Sequence, residues 1–111
     1  MSSRSCLEIR RQDGETRIRF TGLDRLDEAN SEAPGKELSH LAEQLSGTRL
    51  VLDLSGIRFV TSSALGRLVA LSRRVRAAGG RLMLTNLSPA VAEVLSVTNL
   101  DRVLEMLPAV Y

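Results

Sequence analysis

The chain has 111 residues, of which 43% are hydrophobic and 25% charged, which is the size and composition of one globular domain. A single cysteine and a single histidine exclude an internal disulfide and a structural zinc site. No apolar run reaches the roughly 18–20 residues of a membrane span, and no signal-peptide pattern opens the chain. We therefore expect one cytoplasmic domain over residues 1–111, without cofactor and without membrane insertion.

The net charge is +2, and fourteen of the fifteen basic residues are arginines scattered among acidic residues. Arginine is favoured at interfaces, where its fork pairs with carboxylates, so an acidic protein partner accounts for this bias at least as well as nucleic acid does. With only three aromatic residues and no block of like charge, direct nucleic-acid binding is not expected.

Two short segments with alternating polarity begin the chain, at residues 6–10 and 16–20. Asp13 and Gly14 lie between them, and Asp-Gly favours the tight turn of a β-hairpin. The sequence therefore predicts an antiparallel hairpin.

A first helix is predicted from apolar residues at helical spacing, which are Leu38, Leu41, Ala42 and Leu45. Asn30 and Ser31 are both candidate N-caps, and Pro34 is expected in the first turn, where proline is tolerated. Ser46 and Gly47 should end this helix. Residues 50–54 then form a short apolar strand of the kind found inside a sheet.

The clearest periodicity lies in residues 62–78, where one apolar stripe follows a 4, 3, 4, 3 spacing through Ala64, Leu68, Leu71, Val75 and Ala78. This predicts a second helix with Leu68 in the core. Arg67, Arg73 and Arg74 are expected on the opposite side of this helix. The pair Gly79-Gly80 is expected to cap its C-terminus.

Residues 81–85 predict a strand, and Ser88 followed by Pro89 is a strong start signal for a third helix. That helix should carry Val91, Val94 and Leu95 and end near residues 98–99, before a final strand or extended segment at 103–107. The order β-β-α-β-α-β-α-β predicts an α/β fold with an N-terminal hairpin and a mixed, mostly parallel sheet on which the helices pack.

Ligands of such sheets usually meet the loops after the strands, which are residues 21–27, 56–63 and 86–88. No enzyme constellation occurs there or elsewhere, so no catalytic, cofactor-binding or metal-binding residue is predicted. His40 lies on the polar side of its helix, residues 33–37 lack the hydroxyl that a phosphate loop needs, and Asp53 is interpreted as a strand-end turn residue.

Three adjacent hydroxyl residues, Thr61, Ser62 and Ser63, precede the long second helix. At least one of them is expected to serve as the N-cap. A phosphate on a hydroxyl at this position would be tolerated by the helix dipole, yet it would add nearly two negative charges to an exposed surface. The residues alone therefore identify a candidate switch.

The pattern of motifs resembles STAS domains, the anti-sigma factor antagonist family, over nearly the whole chain. The resemblance is carried by residues 22–27, 51–59, 62–66, 78–82 and 95–104. It implies a partner-switching module that binds an anti-sigma factor which is also a serine kinase, with a phosphatase that resets the switch.

By position, the resemblance makes Ser63 the phosphorylated residue, with Ser62 and Thr61 as alternatives. Thr61 stands where the family has Asp, and Ala64 stands where it has Gly. The lost carboxylate could weaken recognition by a kinase. The expected partner-binding residues are Thr61, Ser62, Ser63, Gly66 and Arg67.

The alternative is a non-phosphorylated STAS scaffold, or an accessory subunit of a lipid-transport ABC complex or of a stress-signalling assembly. A scaffold does not need efficient phosphotransfer, so the missing Asp is compatible with this role.

Overall fold

A computed structural model describes residues 7–44 and 47–107, and the predictions that concern Cys6, Leu45 and Ser46 lie outside the described residues. In chain order the elements are β1 (Leu7–Gln12), β2 (Glu15–Phe20), β3 (Arg25–Leu26), α1 (Glu28–Gln44), β4 (Arg49–Asp53), β5 (Phe59–Val60), α2 (Ser62–Ala77), β6 (Arg81–Thr85), α3 (Pro89–Val97), a 3₁₀ turn (Leu100–Arg102) and β7 (Glu105–Met106).

The main sheet has five strands in the order β1-β2-β4-β6-β7. β1 and β2 pair antiparallel, and Asp13 and Gly14 between them both have positive φ, at 50° and 78°, as the predicted hairpin turn requires. The remaining neighbours pair in parallel. The predicted α/β fold with a mixed, mostly parallel sheet is confirmed.

A second, two-stranded parallel sheet joins β3 to β5, and the sequence did not predict it. Each strand has only two residues, which is too short for an alternation of polar and apolar residues to be recognised. The predicted final strand at 103–107 is also shorter than expected, because the Val103 and Leu104 N–H groups still bond to the Leu100 carbonyl of the 3₁₀ turn. Only Glu105 and Met106 pair with β6.

The start of α1 differs from the prediction. The helix begins at Glu28, so Pro34 lies inside it and neither Asn30 nor Ser31 is its cap. The Asp27 carboxylate accepts a hydrogen bond from the Asn30 N–H (2.9 Å), and the Asn30 side-chain oxygen accepts one from the Asp27 N–H (2.8 Å). This reciprocal pair satisfies helix-end donors and starts the helix before the proline, whose ring is buried.

Of the predicted stripe, Ala64, Leu68, Leu71 and Val75 are buried, whereas Ala78 is half-buried and lies just past the end of α2. The helix ends as the two glycines indicated. Ala78 is the C-cap, Gly79 adopts a φ of 84°, and the Gly80 N–H donates to the Val75 carbonyl. A Cβ at Gly80 would clash with the Thr48 carbonyl oxygen, so the chain passes here too closely for any side chain. In α3, Ser88 caps the first turn as predicted.

The core lies between the helices and one face of the main sheet. Ile18, Leu52 and Leu84 form a row across this face and are at most 1% exposed. The described residues contain no helix that is both long and apolar enough to cross a bilayer.

The opposite face of the sheet carries the row Arg17, Val51 and Met83. Val51 and Met83 are 0% and 3% exposed, although they lie outside the core cluster. Arginines flank them on this face, and by strand register these are Arg10, Arg17, Arg19, Arg49 and Arg81. Long arginine stems can cover apolar surface while their charged heads remain in water.

Candidate functional site

Three loops meet at the carboxyl ends of the neighbouring strands β2, β4 and β6. Backbone hydrogen bonds join the first two loops, because the Arg58 N–H donates to the Asp24 carbonyl (2.6 Å) and the Thr61 N–H donates to the Leu26 carbonyl (3.0 Å). The short β3–β5 sheet lies between these bonds. The start of α2 is therefore fixed against the segment that leads into α1.

Thr61 is the N-cap of α2. Its backbone is extended, with φ −79° and ψ 164°, and its hydroxyl accepts a hydrogen bond from the Ala64 N–H at 3.2 Å. The expectation that one of the three hydroxyls caps the helix is met by Thr61. Aspartate and threonine can both make this bond, so threonine at the family's Asp position keeps a cap and loses a negative charge.

Ser62 and Ser63 are the first two residues of α2, and both are exposed. Within the described part of the chain, no hydrogen bond involves either hydroxyl. Ala64, the next residue, is 2% exposed and anchors the first turn against the core. The helix start therefore presents two free hydroxyls on a fixed backbone.

The five residues predicted to bind a partner follow one another along the first turns of α2. Ser62, Ser63 and Gly66 are exposed, while Thr61 and Arg67 are half-buried. The sequence placed Arg67 with Arg73 and Arg74 on the side opposite the apolar stripe. For Arg67 this is wrong, because α1 packs beside α2 and encloses part of its side chain, including Nε.

A polar groove of about 470 Å³ runs between α1 and α2. Its lining carries both charges, with the carboxylates of Glu32 and Glu43 beside Lys36, His40, Arg67 and Arg74, and Gly35 and Ala70 leave room in it. Lys36 pairs with Glu32 of its own helix at 3.8 Å. In contrast, no carboxylate of the described residues lies within ion-pair distance of Arg67 or Arg74. The groove therefore has two free guanidinium groups.

Asp53 holds the ends of two strands together at the same edge of the sheet. Its carboxylate accepts hydrogen bonds from the Ser55 N–H (2.9 Å) and the Asn86 side-chain amide (3.1 Å), and Arg17 lies 4.0 Å away. Desolvation opposes ionisation, but these hydrogen bonds and the Arg17 charge outweigh it and lower the pKa of Asp53. This is the strand-end turn role predicted for it, and the described residues contain no cluster of metal-ligating groups.

Phe59 is a surface feature that the sequence did not reveal. Its side chain is 54% exposed, two residues before Thr61, whereas its neighbour Val60 is only 4% exposed. In a two-residue strand one side chain faces inward and the other outward, so recognising β5 would have been enough to predict this. The segment that leads into α2 therefore exposes an aromatic ring shortly before its serines.

Comparison with known proteins relates this chain to one family. The family model described as STAS domain matches residues 7–111. The structure is similar to an anti-sigma-factor antagonist (STAS) domain protein from Planctomyces limnophilus, with a TM-score of 0.84 and 25% identity over 95% of this chain and 91% of that chain.

Two further solved structures show the same fold in different settings. The Bacillus cell fate determinant SpoIIAA in its phosphorylated form gives a TM-score of 0.70 and 24% identity, over 94% of this chain and 91% of that one. The murine solute carrier 26 family member A9, an anion transporter, gives 0.74 and 20% identity over 91% of this chain but only 17% of that chain.

Proposed function

The chain belongs to the STAS domain family, and from this premise we propose that it is an anti-sigma factor antagonist that works by partner switching. In this proposal it acts in the cytoplasm, and its unmodified form binds an anti-sigma factor that is also a serine kinase. The kinase phosphorylates Ser63, binding is lost, and a phosphatase restores the unmodified protein. The chain itself has no catalytic role.

The exposed hydroxyl of Ser63 is the observation that carries this proposal. It lies one residue beyond Ser62, on a helix start that Thr61 caps and Ala64 anchors. Since the Thr61 hydroxyl is engaged in the cap and Ser63 is not, Ser63 is the better acceptor of the two. In the transfer, the Ser63 oxygen forms a bond to the γ-phosphorus of ATP, ADP leaves with the bridging oxygen, and a base of the kinase takes the hydroxyl proton.

The effect of the phosphate on folding should be small. A negative charge at a helix N-terminus is favourable by about 0.3–1 kcal/mol, so the modified domain keeps its fold. At a docked interface the same charge must lose its water, and an unpaired buried charge costs several kcal/mol. One modification can therefore leave the fold intact and abolish binding.

Phosphorylation and binding can be tested with two variants. Ser63→Ala should bind the partner constitutively, and Ser63→Asp should bind it weakly while its urea unfolding midpoint stays near that of the wild type. Affinity capture with both variants, followed by mass spectrometry, should find a serine kinase with the first and lose it with the second. Incubation with that kinase and ATP should then place phosphate on Ser63.

The matched control is Thr61→Asp, which keeps a capping side chain and restores the family's carboxylate. It should be phosphorylated at least as fast as the wild type. Phosphate on Thr61 or Ser62 alone would move the switch to that residue, and a kinase that binds but adds no phosphate would contradict the proposed switch.

A second candidate function is a scaffold or accessory subunit, in a lipid-transport ABC complex or a stress-signalling assembly. Two observations favour it: the missing carboxylate at Thr61, and the occurrence of this fold as a small part of a murine anion transporter. Under this alternative Ser63→Asp and Ser63→Ala would capture the same partners, and those partners would be transport or scaffold proteins without kinase activity.

A further inference from the structure

Arg67 has a buried donor that the protein leaves unpaired. Two buried side-chain polar atoms in the described part of the chain lack a hydrogen-bond partner, and they are Ser31 Oγ and Arg67 Nε. Both residues line the same narrow pocket between α1 and α2, of about 20 Å³. That volume holds about one water molecule and no acidic side chain lines it. A water molecule there could accept from Nε, and Arg67 also lines the open α1–α2 groove, where no carboxylate of the described residues pairs with it.

The pocket around Nε is too small for a phosphate, so a phosphate would have to meet the part of the guanidinium group that lies outside it. Such a phosphate can come from one turn earlier in the same helix. Ser63 and Arg67 are four residues apart in α2, and residues at this spacing are neighbours on a helix surface. Side chains on a helix lean towards its N-terminus, which directs a residue at position 67 towards the turn that contains Ser63. Its pocket also includes Ala64, which is the residue after Ser63.

We infer that Arg67 is an intramolecular binding site for the phosphate of phosphorylated Ser63. The ligand class is a phosphate monoester dianion, which a guanidinium group binds through two parallel N–H···O hydrogen bonds. This inference rests on the proposed function only in taking Ser63 as the residue that carries phosphate.

Pairing would change two surfaces at once. The exposed Ser63 becomes an arginine-bound phosphate, and the α1–α2 groove loses one of its two free guanidinium groups. Any acidic group of a partner that uses Arg67 would then compete with the protein's own phosphate. The phosphate would therefore act in two ways. It would occupy the Arg67 guanidinium group, which the partner could then no longer bind, and it would add negative charge to the surface.

Other charged groups near Arg67 are less suited to this role. Lys36 is paired with Glu32 across from it on α1. Arg74 lines the same groove but lies eleven residues beyond Ser63, about 16 Å along the helix axis. Arg58 is exposed in the loop before α2, and its backbone N–H is bonded to Asp24. Arg74 and Arg58 therefore serve as matched controls.

The test places phosphoserine at position 63 during translation, by amber-codon incorporation, so that it needs no kinase. The second pKa of the phosphate is then followed by ³¹P NMR in the full chain with Arg67, Arg67→Gln or Arg67→Lys. Pairing favours the dianion, so Arg67→Gln should raise this pKa by about half a unit, a threefold change in proton affinity. Arg67→Lys should give an intermediate value, and the Arg67 Nε–H resonance should shift on phosphorylation.

The controls decide the assignment. Arg74→Gln and Arg58→Gln should leave the pKa of the phosphate unchanged, and urea unfolding of each unmodified variant should confirm that it folds. Equal pKa values in the wild type and Arg67→Gln would overturn the inference, and so would an equal change in either control. If pairing is found but no kinase modifies Ser63, the inference stands and the proposed function fails. If a kinase modifies Ser63 but the pKa of the phosphate does not respond to Arg67→Gln, the proposed function stands and the inference fails.

Discussion

Replacing Gly66 by alanine should stabilise the domain, although Gly66 lies on the proposed partner surface. Gly66 is in the interior of α2, and a Cβ built on it meets no atom within 4 Å. Its φ is not in the left-handed region, so alanine fits the backbone without strain. Alanine removes conformational freedom from the unfolded chain, which should raise the free energy of unfolding by about 0.5–1 kcal/mol.

For a domain of this size, that gain corresponds to an increase in Tm of about 2–5 °C, measurable by calorimetry and by urea unfolding. Gly35→Ala in α1 is the matched control, because its Cβ also meets nothing within 4 Å. Gly80→Ala should do the opposite. Its Cβ would press on the Thr48 carbonyl and lie 3.2 Å from a Val75 methyl, a strain worth about 1–3 kcal/mol.

The reasoning would be refuted if Gly66→Ala lowered the unfolding midpoint while Gly35→Ala raised it. Such a result would mean that Gly66 has a packing role that the structure does not show. Partner affinity is a separate measurement. If the proposed surface is right, the methyl group at Gly66 weakens binding even as it stabilises the fold.

Two further predictions concern stability. Leu68 is 7% exposed in the apolar stripe of α2, so Leu68→Ala should lower the free energy of unfolding by about 2–5 kcal/mol, and a urea midpoint equal to the wild type would place α2 wrongly. The hydrogen bond from the Asn30 N–H, opposed by desolvation and aided by Arg25, lowers the pKa of Asp27. The stability that this lowered pKa contributes is present above the unfolded-state pKa near 3.8 and is lost as the pH falls below it. Asn at position 27 would still cap the helix but does not titrate. The urea midpoint of the wild type should therefore fall more steeply below about pH 4 than that of Asp27→Asn.

The main elements of the fold could be predicted because each carries a local signal. The Asp13-Gly14 turn, the apolar stripe of α2 and the Ser88 cap depend on residues close together in sequence, and the structure has all three. The start of α1 was predicted wrongly because proline was expected in the first turn of the helix, whereas the Asp27–Asn30 hydrogen bonds start the helix well before Pro34. Rules about Pro34 describe an isolated helix, whereas here its ring is buried in the core.

The amino-acid sequence predicted only part of the candidate site. Their pattern showed that one hydroxyl among three caps a helix, and the structure identifies Thr61. The position of Arg67 could not be predicted, because it depends on how α1 packs beside α2, which is a contact between residues far apart in sequence. The two-stranded sheet of β3 and β5 was missed because each strand has only two residues, and the outward orientation of Phe59 was missed with it.

The arginine-covered face of the main sheet has a consequence for how this domain can be combined with others. Five of the fourteen arginines lie on that face by register, where their side chains surround Val51 and Met83. These arginines therefore have a structural role, and their number need not indicate a partner. Arg10, Arg17, Arg19 and Arg81 already pair with the carboxylates of Glu8, Asp53 or Glu105 on the same face, so another sheet or helix could stack there only by removing water from these ion pairs. This charged face should therefore disfavour the association of two copies through their sheets, even at the high protein concentration of a cell.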